Sequence, residues 1–381
     1  MKNKVLDSFQ SVYGSQPEYM VRAPGRANLI GEHTDYNDGF VMPLAVDRAL
    51  WIAFSRRDDA QMRVHSLDFG GNTVTFSLNQ FEDNSMPHWT KHILGGWWLL
   101  DNRGFGIPGA DIVMGGDIPL AAGMSSSAAI GVGVIEMALQ LIGEQKTQVE
   151  KALLAVEIEH QFIGVPCGIM DQMASAAAVD HAAMLLDCRS LVIEPVHIPD
   201  GVSIVVMNTM KERELSTSAY AQRRRECEEA AEILGLSALR DATIELVIEN
   251  ESRLGDTRFH RSRHVVSENV RTLAMQKALE ADDLEKAGEL INASHASLRD
   301  DYNVSVFELD VMSEIAQSHP ACYGARMMGG GFGGCAVGLV QEDVVEDFLA
   351  YIEPRYQEKT GLNPVFYVCK PASGSSVEKM V

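Results

Sequence analysis

The sequence predicts an α/β protein of the α+β type, two-lobed, with mixed sheets and helices. Three observations lead there. The chain has 381 residues, more than one hydrophobic core ordinarily serves, so two lobes are the natural division. Apolar residues make up 46% and charged residues 22%, the balance of a folded globular protein rather than a disordered one. Strand-like segments dominate the first half and helical periodicity the second. That shift divides the chain near residue 195, into an N-terminal lobe 1–195 and a C-terminal lobe 196–381.

Taken in order, alternating and apolar runs read as strands at 45–55, 62–66 and 111–115, joined by polar loops such as 68–72. Helical spacing begins at Ser125 with AAIGVGVIEMALQLIG, its serines placed to cap the first turn. A second helix, 147–163, carries Leu153, Val156 and Ile163; GVPCG breaks it and a third starts near Gly168. Residues 184–186 and 202–208 read as strands. Helices follow at 219–234, 245–250, 260–279 and 283–300. The chain closes with a strand around the glycines at 329–334, a helix over 342–360 and a strand over 364–369. The Ser- and Gly-rich tail after Lys370 is expected to fray.

Charge and composition exclude several classes. With 53 acidic against 32 basic residues the formal net charge is −21, which opposes binding to nucleic acid or an anionic membrane. A nucleotide substrate stays open, because a small pocket sets its own field. The N-terminal MKNKVLDSFQSVYG lacks the apolar run of a signal peptide. The longest apolar candidate, 173–186, is interrupted by Asp180 and His181 and is too short to span a bilayer. Six scattered cysteines without a CxxC read as reduced thiols, so a cytoplasmic protein is expected.

Three strings carry candidate chemistry. GRANLIGEHTDYNDG, residues 25–39, places Arg26, Glu32, His33 and Asp35 close together among glycines. Clustered carboxylates repel unless something binds between them. A polyol does, since each carboxylate accepts from neighbouring hydroxyls and rejects analogues lacking them by roughly 10⁴-fold. A solvated Asx-type turn is the bland alternative. PLAAGMSSSAA, residues 119–129, opens into a helix, and exposed amides at a helix start form an anion site to which Ser125, Ser126 and Ser127 add hydroxyls. An ordinary serine cap explains the same residues, and no GxxxxGK[ST] is present. GARMMGGGFGG, residues 324–334, lets backbone approach a ligand or merely turns tightly. It matches GxGxxG, as do Gly104, Gly106 and Gly109, but neither match lies in a strand-to-helix unit, so a Rossmann site is rejected. Asp171 starts the helix after GVPCG, and Glu159 lies on the helix before it, so the two carboxylates could face one cleft; Asp as a helix starter is the competing explanation. The run Arg223, Arg224, Arg225 reads as a solvated face, the histidines are unclustered, and the 18 methionines read as core filler.

Together these strings, in this order, resemble the galactokinases of the GHMP small-molecule kinase superfamily, as do CGIMDQ at 167–172 and the closing FYVCKP. The resemblance covers nearly the whole chain. It implies a two-lobed GHMP kinase fold with the active site in the interlobe cleft. The implied reaction is ATP-dependent phosphorylation of the anomeric hydroxyl of galactose, the first step of galactose catabolism. By similarity Arg26 stabilises the transferring phosphoryl group and Asp171 faces the anomeric hydroxyl, a weak base beside Arg26 that mainly orients. Sugar contacts fall on Glu32, His33, Thr34, Asp35, Gly168 and Tyr220. ATP phosphates fall on Ala121, Ala122, Gly123, Met124, Ser125, Ser126 and Ser127, with Ser127 and Glu159 as ligands of Mg²⁺. The implied partners are galactose and Mg-ATP, without nucleic acid or membrane, acting on a monomer. The chain departs from the pattern in three places. Ala121 stands for a glycine of the phosphate loop, Met328 for a threonine, and WTKHILGG for a Trp-Asn-Tyr string, which leaves Trp89 either an adenine-side contact or a core residue. Rival readings are a kinase of N-acetylgalactosamine or another aldose, and a galactose and ATP sensor without catalysis.

Overall fold

The computed structural model describes residues 1–77, 86–119, 123–212 and 216–380. Its largest sheet has seven strands. In spatial order these are Ser376–Lys379, Tyr19–Asn28, Pro43–Arg57, Gly109–Gly116, Gln61–Ser66 and Thr73–Ser77, with Pro371–Ala372 paired to Pro43–Arg57. Only Gln61–Ser66 and Gly109–Gly116 run parallel; the other pairings are antiparallel. Ser126–Ile142 packs on this sheet, burying Ala129, Val134 and Met137 in one core with Leu50 and Ile52. A hydrophobic residue excluded from water contributes roughly 1.5–3 kcal/mol, which is why this nearly all-apolar helix has no exposed stripe to spare.

A second, wholly antiparallel sheet has the order Cys322–Met328, Cys335–Gln341, Val202–Asn208, Val365–Cys369. Phe307–Gln317 and Val345–Thr360 cover it through Val311, Met312, Phe348 and Ile352. A three-stranded sheet, Phe40–Val41 with Ala182–Asp187 and Ile193–His197, ties the loop after Asn28 to the middle of the chain. Ser216–Leu234, Glu251–Glu280 and Leu284–Asp300 form a helical layer around Leu254, Phe259, Val265, Leu298 and Tyr302.

The mixed fold agrees with the sequence reading, apart from the helices Lys2–Tyr13, Lys91–Asn102 and Phe307–Gln317, which that reading lacks, and four further local differences. Residues 329–334 are not strand but the turn between Cys322–Met328 and Cys335–Gln341, because Gly329, Gly331, Gly333, Gly334 and even Phe332 have positive φ. The tail does not fray: Ser376–Lys379 pairs with Arg22 to Tyr19, and Ser375 donates from Oγ to Glu136 Oε1 at 2.6 Å. The regular helix begun at Gln148 stops at Glu157, and Ile158–Ile163 continues as a wider π turn, a distortion frequent at functional sites. Tyr19–Asn28 escapes periodicity because Pro24 and Gly25 interrupt it. A β-bulge between Pro24 and Arg26 shifts the register there and re-aims the side chains beyond it.

Candidate active site

That bulge delivers Arg26 to a cavity of about 300 Å³, lined from the first half by Glu32, Asp35, Ser125, Glu159 and Asp171 and from the second by Tyr220 and Gly329 to Gly331. Arg26 is buried, its backbone amide donating to Met124 O at 3.1 Å. Nε donates to Asp171 Oδ1 at 2.8 Å and Nη1 to Gly123 O. Asp171 is in the first turn of Met170–Ala177, and its second oxygen, Oδ2, accepts from Ser125 Oγ. The sequence places Ser125 as a cap of Ser126–Ile142. It stands at the cap position with φ 54° and makes no side-chain cap; its hydroxyl goes to Asp171 instead. One guanidinium thus joins the helix start with its exposed amides to a carboxylate from a different helix.

Asp35 stands apart. Its carboxylate receives Tyr36 N–H at 3.0 Å and Met170 N–H at 3.5 Å, and no arginine hydrogen bond to it is present among the described residues. Burial, then the neighbouring charges of Asp171 and Glu32, push its carboxyl up to about 7. It fits only because residue 168 is glycine: a Cβ there would lie 1.8 Å from Asp35 Oδ2. Glu32 is buried, and its Oε1 accepts from Arg326 Nη2 at 3.1 Å and from Gly329 N–H at 2.7 Å.

His33 adopts φ 64°, a left-handed conformation held by its surroundings. Its Nδ1 meets Tyr36 Oη at 2.8 Å, and Tyr36 Oη meets Tyr302 Oη at 2.7 Å. Burial, then the positive fields of His264 and Arg223, hold the imidazole well below its usual range, so it is neutral. The Tyr220 ring lies 5.5 Å from the His33 ring and 5.2 Å from the Tyr36 ring, forming an aromatic wall. Cys167 also lines the cavity; burial and then the charge of Glu159 push its thiol up, which keeps it protonated and a poor nucleophile.

Residues 7–56 match the family described as the galactokinase galactose-binding signature, residues 91–178 the GHMP kinases N terminal domain, and residues 275–357 the GHMP kinases C terminal. A galactokinase of Roseiflexus sp. (strain RS-1) is 43% identical across 97% of this chain and 96% of its own. This chain belongs to the galactokinase family. The crystal structure of Lactococcus lactis galactokinase complexed with galactose is similar at a TM-score of 0.94 and 37% identity, covering 98% of this chain and 99% of that one. Methanococcus jannaschii mevalonate kinase shares the fold, with a TM-score of 0.65 at 18% identity over 93% of this chain and 98% of its own.

Of the residues singled out in the sequence, Arg26, Glu32, His33, Asp35, Gly168, Asp171 and Tyr220 meet at the cavity of this galactokinase-family chain. Gly123, Met124, Ser125, Ser126, Ser127 and Glu159 meet there too. Thr34 does not line it: its hydroxyl donates to Gly31 O at 2.8 Å and Phe40 O at 2.7 Å, closing the loop from beneath. Ala121 and Ala122 lie outside the described residues. Trp89 stacks on Phe69 with centroids 5.6 Å apart and is not part of the cavity lining. Met328 is buried, its sulfur taking Asn28 N–H at 3.3 Å. Of the arginine run, Arg225 is exposed, whereas Arg223 and Arg224 are half-buried and bonded to backbone. Arg223 donates to Tyr302 O and Asn303 O at 2.8 and 2.9 Å, and Arg224 reaches Pro166 O at 3.3 Å, tying the helix of Tyr220 to the turn of Gly168. Arg326, hidden among the glycines of GARMMGGGFGG, is the contact that sequence reasoning missed.

Proposed function

We propose that this chain transfers the terminal phosphoryl group of ATP to the anomeric hydroxyl of galactose, yielding galactose 1-phosphate and ADP. The observation that carries the reading is the Arg26–Asp171–Ser125 junction, where the serine-bearing helix start meets the carboxylates of the signature in one cavity. Both oxygens of Asp171 are held, so the carboxylate presents a fixed acceptor to one hydroxyl. That hydroxyl's oxygen forms the new bond to phosphorus as the bridging bond to the departing ADP oxygen breaks, and its proton passes to Asp171. In a loose transition state the proton leaves late, so orientation outweighs basicity. Arg26 is buried beside both groups and is placed to offset charge on the transferring phosphoryl.

Glu32, His33, Asp35, Gly168 and Tyr220 are read as the sugar-facing set, and Gly123 to Ser127 as the phosphate-facing set. Ser127 and Glu159 fit Mg²⁺ in donor chemistry: both are oxygen donors lining the cavity, and the hydrogen bond between His92 Nε2 and Glu159, at 3.0 Å, uses Oε1. Such an ion takes most of its ligands from water and phosphate and neutralises phosphate charge when bound. The two-lobe division is read as near residue 195, with the last strands returning to the first sheet. A monomer is read as the working unit, in keeping with a cavity whose described lining comes from both halves of this chain. Six scattered cysteines without a CxxC support a reading of a reducing, cytoplasmic setting. The test is ³¹P detection of product with a panel of sugars, ATP and Mg²⁺. Galactose 1-phosphate alone supports the reading; N-acetylgalactosamine turned over faster than galactose, or binding of both ligands without turnover, overturns it.

A further inference from the structure

We propose that Arg326 is a positioning residue for sugar recognition, which holds Glu32 so that a single carboxylate oxygen faces the substrate. The inference deepens the galactokinase reading and rests on it. Arg326 is fully buried on the strand Cys322–Met328, far in sequence from the signature it serves. Nε donates to Leu29 O at 2.6 Å, and Nη2 donates both to Asn28 O at 2.9 Å and to Glu32 Oε1 at 3.1 Å. The same Oε1 accepts Gly329 N–H at 2.7 Å. Two donors from one strand end therefore converge on one oxygen, and both contacts leave Oε2 out.

A carboxylate with two equivalent free oxygens rotates and accepts hydroxyls in several geometries; one whose Oε1 is anchored twice offers Oε2 along one direction. A buried glutamate also needs a paired cation, because an isolated charge taken out of water is costly and removing one partner of such a pair is strongly destabilising. The side-chain hydrogen bonds of Arg26 go to Asp171 and Gly123, so it acts on Glu32 through its field, while the direct contact comes from Arg326. The guanidinium of Arg326 pins the chain beneath the carboxylate too, through the carbonyls of Asn28 and Leu29. Side chain and backbone of the signature are thus held by one group. The glycine turn adds the second anchor through Gly329, and Gly329 to Gly331 themselves line the cavity. The third motif accordingly acts on the sugar end of the site through Glu32.

The test compares Arg326→Lys and Arg326→Gln with the wild type, by steady-state kinetics against galactose and ATP and by thermal melting. It is repeated in a Glu32→Gln background. Partners that hold the ligands of a metal site typically change affinity or activity by roughly ten- to a hundredfold when removed, and an effect of that order is expected for a partner that holds a sugar-facing carboxylate. Arg326→Lys is expected to raise the KM for galactose by about tenfold or more, and to leave the KM for ATP within about twofold. In the Glu32→Gln background the same substitution should cost less than about threefold, because the carboxylate it positions is gone. Equal losses in both backgrounds, or galactose and ATP constants rising together, would assign Arg326 to the core alone and overturn the proposal. So would loss of folding in both variants. A wild type that does not phosphorylate galactose overturns the substrate reading and this inference with it; an active wild type beside a variant with unchanged galactose KM overturns only the inference.

Discussion

The two ends of the cavity hold their functional groups by different means. At the signature end, side chains are fixed by buried partners: Glu32 by Arg326 and Gly329, His33 by Tyr36, Asp35 by the close approach of Gly168. At the serine end the fixed parts are backbone. Arg26 grips the carbonyls of Gly123 and Met124, while Ser126 is half-buried and Ser127 exposed at the start of a helix. Under the proposed assignment of sugar to the signature end and phosphate to the serine end, the difference reflects the ligand each end has to read. A sugar is distinguished from its epimers by where hydroxyls point, which demands side chains locked in direction. Phosphate is symmetric and charged, so amides at a helix start with a dipole behind them suffice.

The junction between the ends should be the most sensitive point. Asp171→Asn keeps the shape of the side chain, so the protein is expected to fold with a melting midpoint near that of the wild type. It removes the proposed proton acceptor and weakens the hold on Arg26 Nε and Ser125 Oγ, so kcat is expected to fall by about a thousandfold or more. ADP release under saturating substrates checks this; near-normal turnover would sink the role given to Asp171. On the signature side alone, Gly168→Ala should be next in size. Its Cβ would stand 1.8 Å from Asp35 Oδ2, so the carboxylate must move. The galactose KM is expected to rise by roughly tenfold or more while the ATP KM hardly changes. Parallel rises in both constants would show that the two ends are not independently built.

How much of the site is legible in the sequence depends on whether the signal is local. The galactokinase signature and the serine loop declare their chemistry within a few residues, and the helix from Ser126 is announced by a long apolar run. Arg326 cannot be found this way, because its meaning is the carbonyls of Asn28 and Leu29 some three hundred residues earlier in the chain. Arg223 and Arg224 mislead for the same reason: a charged helix face looks solvated until the carbonyls of Tyr302, Asn303 and Pro166 are brought against it. Similarity puts Thr34 at the sugar, and only geometry shows its hydroxyl turned to the loop's own backbone. The tail looks free because Ser and Gly carry little local signal, yet its register on Tyr19–Asn28 is set by long-range pairing.

A pH series sharpens the comparison further, with a smaller effect. Asp35 titrates at about 7 in the folded protein against 3.8 ordinarily, so the folded state binds this proton more tightly than the unfolded chain does. Its contribution to stability is complete below pH 3.8 and is lost as pH rises through about 7. The melting midpoint of the ligand-free protein should therefore carry a falling component across that window, which Asp35→Asn removes. Sugar hydroxyls donating to Asp35 favour the ionised form, so galactose binding below about pH 7 should release a proton. Calorimetry in two buffers of different ionisation enthalpy reads that release, and its absence would take Asp35 out of the sugar-facing set.

The smallest effect is expected at Trp89, whose two readings separate cleanly. If the ring belonged to an adenine pocket, Trp89→Leu would weaken ATP and leave galactose alone, adding a side-chain contact to an end that otherwise reads its ligand through backbone. Its observed partner is Phe69, with ring planes 3° apart and centroids at 5.6 Å, and its body packs against the main core. Stacked aromatic pairs contribute about 0.5–1.5 kcal/mol beyond the area they bury. Trp89→Leu should thus lower the melting midpoint slightly while the ATP KM stays within about twofold. A tenfold rise in ATP KM at unchanged stability would reverse this reading. It would also weaken the contrast drawn between the two ends, since the serine end would then depend on a locked side chain as the signature end does.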